Sequence, residues 1–223
     1  AHEPVQYIVG STEFMGLRFE IDPRTLIPRP ETEVLVEQLI GHARSAGTGS
    51  LRILDIGTGS GNIAVTLAKF LPDAEVVGID VSQPALDAAR RNLQLHGVED
   101  RVRLELLDIL GGHDRLEAGQ FDYVVSNPPY IPFADVAALQ AEVREYEPRI
   151  AVQADGDGLA YFRSIATAGG KLVKKGGWVF LEFGFDQHDA VSAILSAAGY
   201  IGVETMRDYS GILRVVKAQA SLP

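Results

Sequence analysis

The sequence contains no cysteine among its 223 residues. This absence excludes disulfide frameworks, thiolate nucleophiles and cysteine-based zinc sites, and it fits a reducing compartment. The sequence also lacks any apolar run near the ~20 residues that a membrane-spanning helix needs. Its first four residues, AHEP, lack the basic and apolar regions of a secretory signal. We therefore expect a soluble, cytoplasmic protein with no membrane partner.

The sequence also contains fewer basic than acidic residues. The chain has 20 Lys and Arg against 30 Asp and Glu, for a formal net charge of −10. This is the wrong sign for a protein that gains its affinity by neutralising phosphates, so we expect no direct binding to nucleic acid. Hydrophobic residues make up 46% of the chain, which excludes disorder and allows a substantial core.

Apolar runs and helical spacings alternate along the chain. They predict strands at 51–56, 75–80, 101–107, 121–126, 178–183, 202–207 and 212–217, and helices at 62–70, 84–96, 158–173 and 187–198. Ahead of these lie a predicted hairpin at 13–21 and a helix at 32–44. Repeated strand–helix units predict a doubly wound α/β fold, mostly parallel, with an antiparallel strand in its closing hairpin. We expect residues 1–45 to form the hairpin and lead-in helix, and residues 46–223 the catalytic domain.

The first strand of the α/β part runs into a glycine-rich loop. Glycines in the loop Gly57, Thr58, Gly59, Ser60 and Gly61 allow a sharp turn and a close approach to a ligand, and the next helix offers its positive end. Asp80 ends the second strand, where a carboxylate can accept hydrogen bonds from both ribose hydroxyls. The spacing departs from the dinucleotide fingerprint, so these features favour S-adenosylmethionine over a nicotinamide cofactor. The competing interpretation of the loop is a plain strand-to-helix turn.

Asn127, Pro128, Pro129 and Tyr130 follow the fourth strand of the α/β part. Ligands bind beyond the carboxyl ends of parallel strands, so this segment should face the same crevice as the glycine loop. Prolines lack an N–H and hold a rigid bend with free carbonyl acceptors, and Asn127 adds an amide oxygen. The group suits a flat substrate with an NH2 on an sp² carbon. The competing interpretation is a stiff loop with Asn127 as a turn residue.

Methyl transfer to such a nitrogen explains these acceptors. An amide nitrogen is a poor nucleophile, and hydrogen bonds accepted from its N–H groups stabilise the positive charge that develops on it. Alignment of nitrogen, methyl and sulfur can contribute ~7–11 kcal/mol. The chemistry requires no metal and no covalent nucleophile.

Five segments together resemble the protein-(glutamine-N5) methyltransferases that modify peptide chain release factors. They are 26–33 (LIPRPETE), 55–61 (DIGTGSG), 127–130 (NPPY), 146–148 (YEP) and 155–159 (DGDGL). The resemblance covers essentially the whole chain. It implies a class I methyltransferase fold with a seven-stranded sheet, and transfer to the glutamine in the Gly-Gly-Gln loop of a class 1 release factor. The NPPY motif alone is shared with adenine-N6 and guanine-N2 methyltransferases of nucleic acid.

The resemblance also implies individual roles. Residues 57–61 would cradle the methionine part of the cofactor, Asp80 would hold its ribose, and Asp108 and Ile109 would border its adenine. Residues 127–130 would hold the glutamine amide, and Asn127 would also line the cofactor pocket. The segment 28–33 would cover the methionine end. The family normally carries a helical domain ahead of the hairpin, and we expect this domain to be absent here, whether truncated or naturally missing.

Other functions remain as alternatives. An amino-methyltransferase of adenine N6 or guanine N2 would need a basic surface that the sequence does not show. A dehydrogenase would need the longer glycine spacing, and a non-catalytic cofactor-binding protein has no positive support. Two polar features have simple interpretations: Thr32 as the cap of the helix at 32–44, and Glu142, Glu145 and Glu147 as a solvated helix face that could receive a basic partner.

Overall fold

The structure, a computed structural model, describes residues 2–47 and 49–221. Its N-terminal part contains α1 (Val5–Val9), β1 (Ser11–Phe14), β2 (Leu17–Glu20) and α2 (Pro30–Ala46). The first half of the α/β part contains β3 (Leu51–Ile56), α3 (Asn62–Phe70), β4 (Ala74–Asp80), α4 (Gln83–His96), β5 (Val102–Leu106) and β6 (Phe121–Ser126). Then follow β7 (Ile131–Pro132), α5 (Ala141–Tyr146), α6 (Arg149–Val152), β8 (Gln153–Ala154), α7 (Ala160–Leu172), β9 (Val173–Glu182), α8 (His188–Ala197), β10 (Tyr200–Arg207) and β11 (Leu213–Ala220).

Seven strands form the central sheet in the order β10-β11-β9-β6-β3-β4-β5. Strands β5, β4, β3, β6 and β9 pair in parallel, while β11 pairs antiparallel with both β9 and β10. This arrangement confirms the predicted doubly wound class I methyltransferase fold with its antiparallel strand in the C-terminal hairpin. The small N-terminal hairpin, in which β1 pairs antiparallel with β2, is confirmed as well.

Helices cover both faces of the sheet because successive strand residues point to opposite sides. Ile53 packs in a hydrophobic cluster with the buried side chains of α2, α3 and the N-terminal hairpin. Leu54, the next residue of β3, packs in a second cluster with α7 and α8. The hairpin and α2 therefore share a hydrophobic core with one face of the sheet.

Most differences from the sequence prediction concern where elements begin and end. Helix α2 starts two residues before the predicted position because Pro30 occupies its first turn, where a missing N–H costs nothing. Its N-cap is Arg29, so the expected capping role of Thr32 is wrong. Strand β9 begins five residues early, across a register shift between Phe121 and Tyr123 of the neighbouring β6. The sequence patterns do not predict the short elements α1, α6, β7 and β8, whereas α5 corresponds to the helix face expected around Glu142 and Glu145.

No helix of residues 2–47 and 49–221 is long and apolar enough to span a membrane.

Candidate functional site

The carboxyl ends of three parallel strands lie side by side at one edge of the sheet. Strand β3 pairs with β4 on one side and with β6 on the other, so Ile56, Asp80 and Ser126 end neighbouring strands. A cleft of about 730 Å³, including its open mouth, lies at this edge.

Gly57 and Gly59 form part of the cleft wall. Both have positive φ angles, +75° and +55°, which only glycine adopts readily. A side chain at Gly57 would extend into open space, since no atom lies within 4 Å of a Cβ built there. The backbone N–H groups of Gly57 and Thr58 donate to the carbonyl of Ile79, at 2.9 and 3.0 Å, and so attach the loop to β4.

The other three residues of the predicted glycine loop do not line the cleft. The Thr58 hydroxyl donates to Asp55 Oδ2 at 2.7 Å, and Ser60 is buried. Gly61, with φ +80°, lies against α4, where a Cβ would meet the Cβ of Ala89 at 3.2 Å. The structure therefore brings the first and third residues of the loop to the cleft and uses the others for packing.

Asp80 lies in the cleft at the end of β4. Its Oδ2 accepts the N–H of Gly59 and its Oδ1 accepts the N–H of Ser82, both at 2.9 Å. Burial raises the pKa of this carboxyl, and the backbone donors oppose the rise. Each oxygen retains a further lone pair, so the carboxylate can still accept hydrogen bonds from a ligand.

Asp55, inside β3, is a second acidic group near the loop. It is fully buried, and burial raises its pKa to about 7 despite the hydrogen bond from Thr58. Its Oδ1 has no hydrogen-bond partner among the residues that the structure describes. Asp55 supports the loop from beneath, and it is not part of the cleft wall.

Asp108 and Ile109 follow β5 and line the cleft. Ile79, Leu107 and Ile109 are buried and give this end of the cleft an apolar wall. Asp108 is exposed, and its Oδ1 accepts the N–H of Leu110 at 2.9 Å. An apolar slot with a polar rim is suited to a flat heteroaromatic ring.

Asn127, Pro128 and Pro129 line the same cleft from the end of β6. Among the described residues, no backbone N–H outside the regular elements donates to the carbonyls of Pro128 and Pro129. Both carbonyls therefore remain candidate acceptors for a ligand. The Tyr130 ring lines a second cavity instead, and its carbonyl accepts a hydrogen bond from Gln187 Nε2 at 3.0 Å.

Asn127 is hydrogen-bonded to a buried residue, Thr32, which is in turn hydrogen-bonded to a second one, Glu182. Asn127 Nδ2 donates to Thr32 Oγ1 at 3.0 Å, and Thr32 Oγ1 donates to Glu182 Oε2 at 2.6 Å. Thr32 and Glu182 are each 2% exposed. Burial raises the pKa of Glu182 to about 7, with the Thr32 hydroxyl acting in the opposite direction.

Sequence reasoning missed several cleft residues that come from irregular segments. Arg24, Thr25 and Leu26 precede α2, Pro148, Ile150 and Ala151 belong to the region of α6, and Tyr161 lies in α7. The LIPRPETE and YEP segments pointed to two of these regions, but neither has a periodicity that would place its side chains.

Glu147 corrects one expectation. The sequence interpretation places it on a solvated helix face, yet it is 5% exposed and its Oε1 accepts a hydrogen bond from Arg29 at 2.5 Å. Burial raises the pKa of this carboxyl, and Arg29 opposes the rise. The ion pair therefore connects the YEP segment to the start of α2.

Within residues 2–47 and 49–221, no group of three or more His, Cys, Asp or Glu side chains is arranged to hold a metal ion.

Comparison with known proteins adds family information to this geometry. Residues 48–166 match a family model described as a methyltransferase domain. The chain is 46% identical over 217 residues to a release factor glutamine methyltransferase of Geobacter sulfurreducens, covering 96% of this chain and 72% of that protein. It is 46% identical over 222 residues to a protein of the same name from Chlorobaculum tepidum, with 97% and 74% covered.

Solved structures agree with the fold. A methyltransferase from Pyrococcus furiosus superposes with a TM-score of 0.67 at 20% identity, covering 93% of this chain and 91% of that one. A release-factor-specific protein-(glutamine-N5) methyltransferase from Alicyclobacillus acidocaldarius superposes with a TM-score of 0.53 at 29% identity, covering 92% and 100%. At 20% identity, the likeness to the Pyrococcus furiosus structure concerns the fold alone.

Proposed function

Since this chain belongs to the release factor glutamine methyltransferase family, we propose that its cleft is the site where a methyl group passes from S-adenosylmethionine to a glutamine side-chain amide of a release factor. It is an S-adenosylmethionine-dependent protein-glutamine methyltransferase. The observation that carries the site assignment is that Asn127 and Pro128 share one cleft with Gly57, Gly59 and Asp80.

The cleft residues fit the cofactor. Gly57 leaves open space where a side chain would stand. Asp80 presents a carboxylate for the ribose hydroxyls, and Asp108 and Ile109 border a slot for adenine. We assign the remainder of the loop, Thr58, Ser60 and Gly61, to holding the cradle in shape around the methionine part. When bound, S-adenosylmethionine supplies an electrophilic methyl group on a sulfonium sulfur.

Asn127, Pro128 and Pro129, which line the cleft, receive the glutamine in this proposal. The amide oxygen of Asn127 and the free carbonyl of Pro128 accept hydrogen bonds from the two N–H groups of the acceptor nitrogen. These acceptors orient the nitrogen and stabilise its growing positive charge, an effect that strengthens towards the transition state. The surplus proton leaves the nitrogen for water. No step calls for a metal ion or a covalent nucleophile.

The finer assignments rest on the sequence motifs. We propose that the substrate is the glutamine of the Gly-Gly-Gln loop in a class 1 release factor, that residues 46–223 are the catalytic unit, and that the enzyme acts in the cytoplasm. We propose no direct binding to nucleic acid, because the net charge of −10 opposes it. An amino-methyltransferase of adenine N6 or guanine N2 remains the alternative, since it shares residues 127–130.

A labelling experiment tests the substrate. The enzyme is incubated with methyl-labelled S-adenosylmethionine and, separately, with a purified class 1 release factor or with bulk RNA and DNA, and the products are analysed by mass spectrometry. We expect label on the loop glutamine only. A release factor carrying glutamate at that position is the matched control and should stay unlabelled. Label confined to nucleic acid would contradict the proposal.

A further inference from the structure

Three polar side chains from distant parts of the sequence form one hydrogen-bonded series behind the cleft. Asn127 follows β6, Thr32 lies in the first turn of α2, and Glu182 ends β9. The two bonds, from Asn127 Nδ2 to Thr32 Oγ1 and from Thr32 Oγ1 to Glu182 Oε2, measure 3.0 and 2.6 Å. Only Asn127 lines the cleft.

The direction of these bonds follows from the chemistry of the last member. An ionised carboxylate only accepts hydrogen bonds, so the Thr32 hydroxyl must give its single proton to Glu182. The Thr32 oxygen then has only lone pairs to offer Asn127. The NH2 end of the Asn127 amide is therefore the end that faces Thr32, and the amide oxygen is the end left for the cleft.

We propose that Thr32 and Glu182 are positioning residues for methyl transfer, which hold Asn127 with its amide oxygen towards the acceptor nitrogen. This proposal rests on the proposed function and deepens it. Neither residue touches the reacting atoms. In the opposite orientation the Asn127 NH2 would face the NH2 of the glutamine, donor against donor, and could not stabilise the charge that develops there.

Burial makes the hydrogen bonds of the series hard to replace, and it also makes the Glu182 carboxylate costly to bury. Thr32 and Glu182 are shielded from water, so a wrongly turned Asn127 could not replace its lost bond with a solvent molecule. A buried carboxylate is costly unless its hydrogen bonds are satisfied. The buried Glu182 carboxylate, which only accepts hydrogen bonds, therefore sets the direction of the Thr32 hydroxyl and of the Asn127 amide.

Protonation of Glu182 should weaken this control. A carboxylic acid can donate to Thr32, which frees the hydroxyl to donate to the Asn127 oxygen and allows the amide to turn. The charged and titratable groups that face Glu182 are Arg214 on β11, Arg29 and Glu31 at the start of α2, and Tyr130. Because the pKa of Glu182 is raised to about 7, kcat should fall as the pH is lowered through that value.

The first test compares substitutions at Thr32. Thr32→Val keeps the shape and removes the hydroxyl, and Thr32→Ser restores it. We expect Thr32→Val to lower kcat for release factor methylation by roughly tenfold or more, with cofactor affinity within about twofold, and Thr32→Ser to recover most of the loss. Thr66→Val is the matched control, because Thr66 is fully buried in α3 and its hydroxyl has no partner among the described residues.

Glu182→Gln provides the second test, since it imitates the protonated carboxyl. We expect the wild-type kcat to decline from about pH 8 to pH 6, and the variant to have a low kcat with a flat profile over that range. In the Asn127→Ala background, Thr32→Val should cause no further loss of residual activity. An equal loss in Thr32→Val and Thr66→Val, or a Thr32→Val enzyme with wild-type kcat, would overturn the proposal.

A spectroscopic measurement separates this proposal from the proposed function. The side-chain NH2 signal of Asn127, assigned in a 15N–1H spectrum by its loss in Asn127→Ala, should show slow solvent exchange in the wild type and Thr32→Ser. Exchange should be fast in Thr32→Val. Wild-type protein that fails to methylate any release factor contradicts the proposed function alone, whereas unchanged exchange in Thr32→Val contradicts the positioning role.

Discussion

Asn127 and Asp80 reach the cleft in the same way, each from the end of a parallel strand, and each is held by hydrogen bonds to the protein. Asp80 accepts the N–H groups of Gly59 and Ser82, and Asn127 donates to Thr32. A polar side chain that is already oriented by a hydrogen bond to the protein loses little entropy when its other polar atoms bind a ligand. This arrangement allows the two residues to be tested separately.

Asn127→Ala should remove most of the turnover and little of the cofactor affinity. In the proposed function, its amide oxygen acts chiefly as charge develops on the acceptor nitrogen, so we expect kcat to fall by roughly 100-fold or more. The dissociation constant for S-adenosylmethionine, measured by calorimetry, should change by less than about tenfold. A kcat within tenfold of the wild type would contradict the role of Asn127 as acceptor.

Asp80→Ala should have the opposite profile. The change removes the proposed ribose acceptor and also leaves the Gly59 and Ser82 N–H groups without partners, so cofactor affinity should fall by about 10- to 100-fold. Asp87→Ala, which removes an exposed carboxylate of α4, is the matched control for the loss of one charge. Equal cofactor affinity in the two variants would rule out Asp80 as a binding residue.

At the scale of elements, α3 and α4 approach each other at the end of the glycine loop. Gly61 is the N-cap of α3 and has a left-handed conformation, and Ala89 of α4 lies against it. Gly97 ends α4 in a similar conformation, with no atom within 4 Å of a Cβ built there. Both glycines therefore need a positive φ angle, but only Gly61 has a neighbouring side chain that an added Cβ would meet.

This difference predicts unequal effects of alanine. Gly97→Ala should cost only the left-handed conformation, about 1–2 kcal/mol of the free energy of unfolding. Gly61→Ala should cost that amount and roughly 1–3 kcal/mol more, because its Cβ would press on Ala89. Urea denaturation measures both values. Equal losses would show that α3 and α4 separate without cost and would weaken the packing role of Gly61.

At the scale of the whole molecule, the sheet buries two carboxyl groups, Asp55 in β3 and Glu182 in β9. Burial raises the pKa of each to about 7, well above the value in an unfolded chain. Their contribution to stability is therefore complete below the unfolded pKa of about 4 and is lost as the pH rises through about 7.

The free energy of unfolding should accordingly decrease between about pH 5 and pH 8, by at least about 1 kcal/mol. Asp55→Asn and Glu182→Gln should each flatten this dependence. Asp157, whose pKa the Arg163 guanidinium lowers to about 2, acts in a separate window: its contribution is present above about pH 4 and disappears at lower pH. A stability that rises steadily from pH 5 to pH 8 would contradict the prediction for the two buried groups.

Local patterns predicted the regular elements well. The bounds of β3, α3 and β6 are those expected from their apolar spacing and their flanking glycines and prolines. The succession of parallel strands then predicted that Gly57, Asp80 and Asn127 lie at one edge of the sheet, because the carboxyl ends of parallel strands meet there. Asp108 was implied only by the resemblance to the family. The absence of cysteine and the acidic charge also favoured a chemistry without thiolates and a substrate other than nucleic acid.

The sequence by itself thus determined most strands and helices, the α/β class and the polar residues that follow the strands, because periodicity and the succession of elements can be read along the chain. Tertiary structure alone decided which loop residues face the ligand, that Glu147 is buried against Arg29, and that Thr32 joins Asn127 to Glu182. The residues of these pairs lie 118, 95 and 150 positions apart. Hydrogen-bond partners at such separations depend on how helices pack on the sheet, which no short-range pattern encodes.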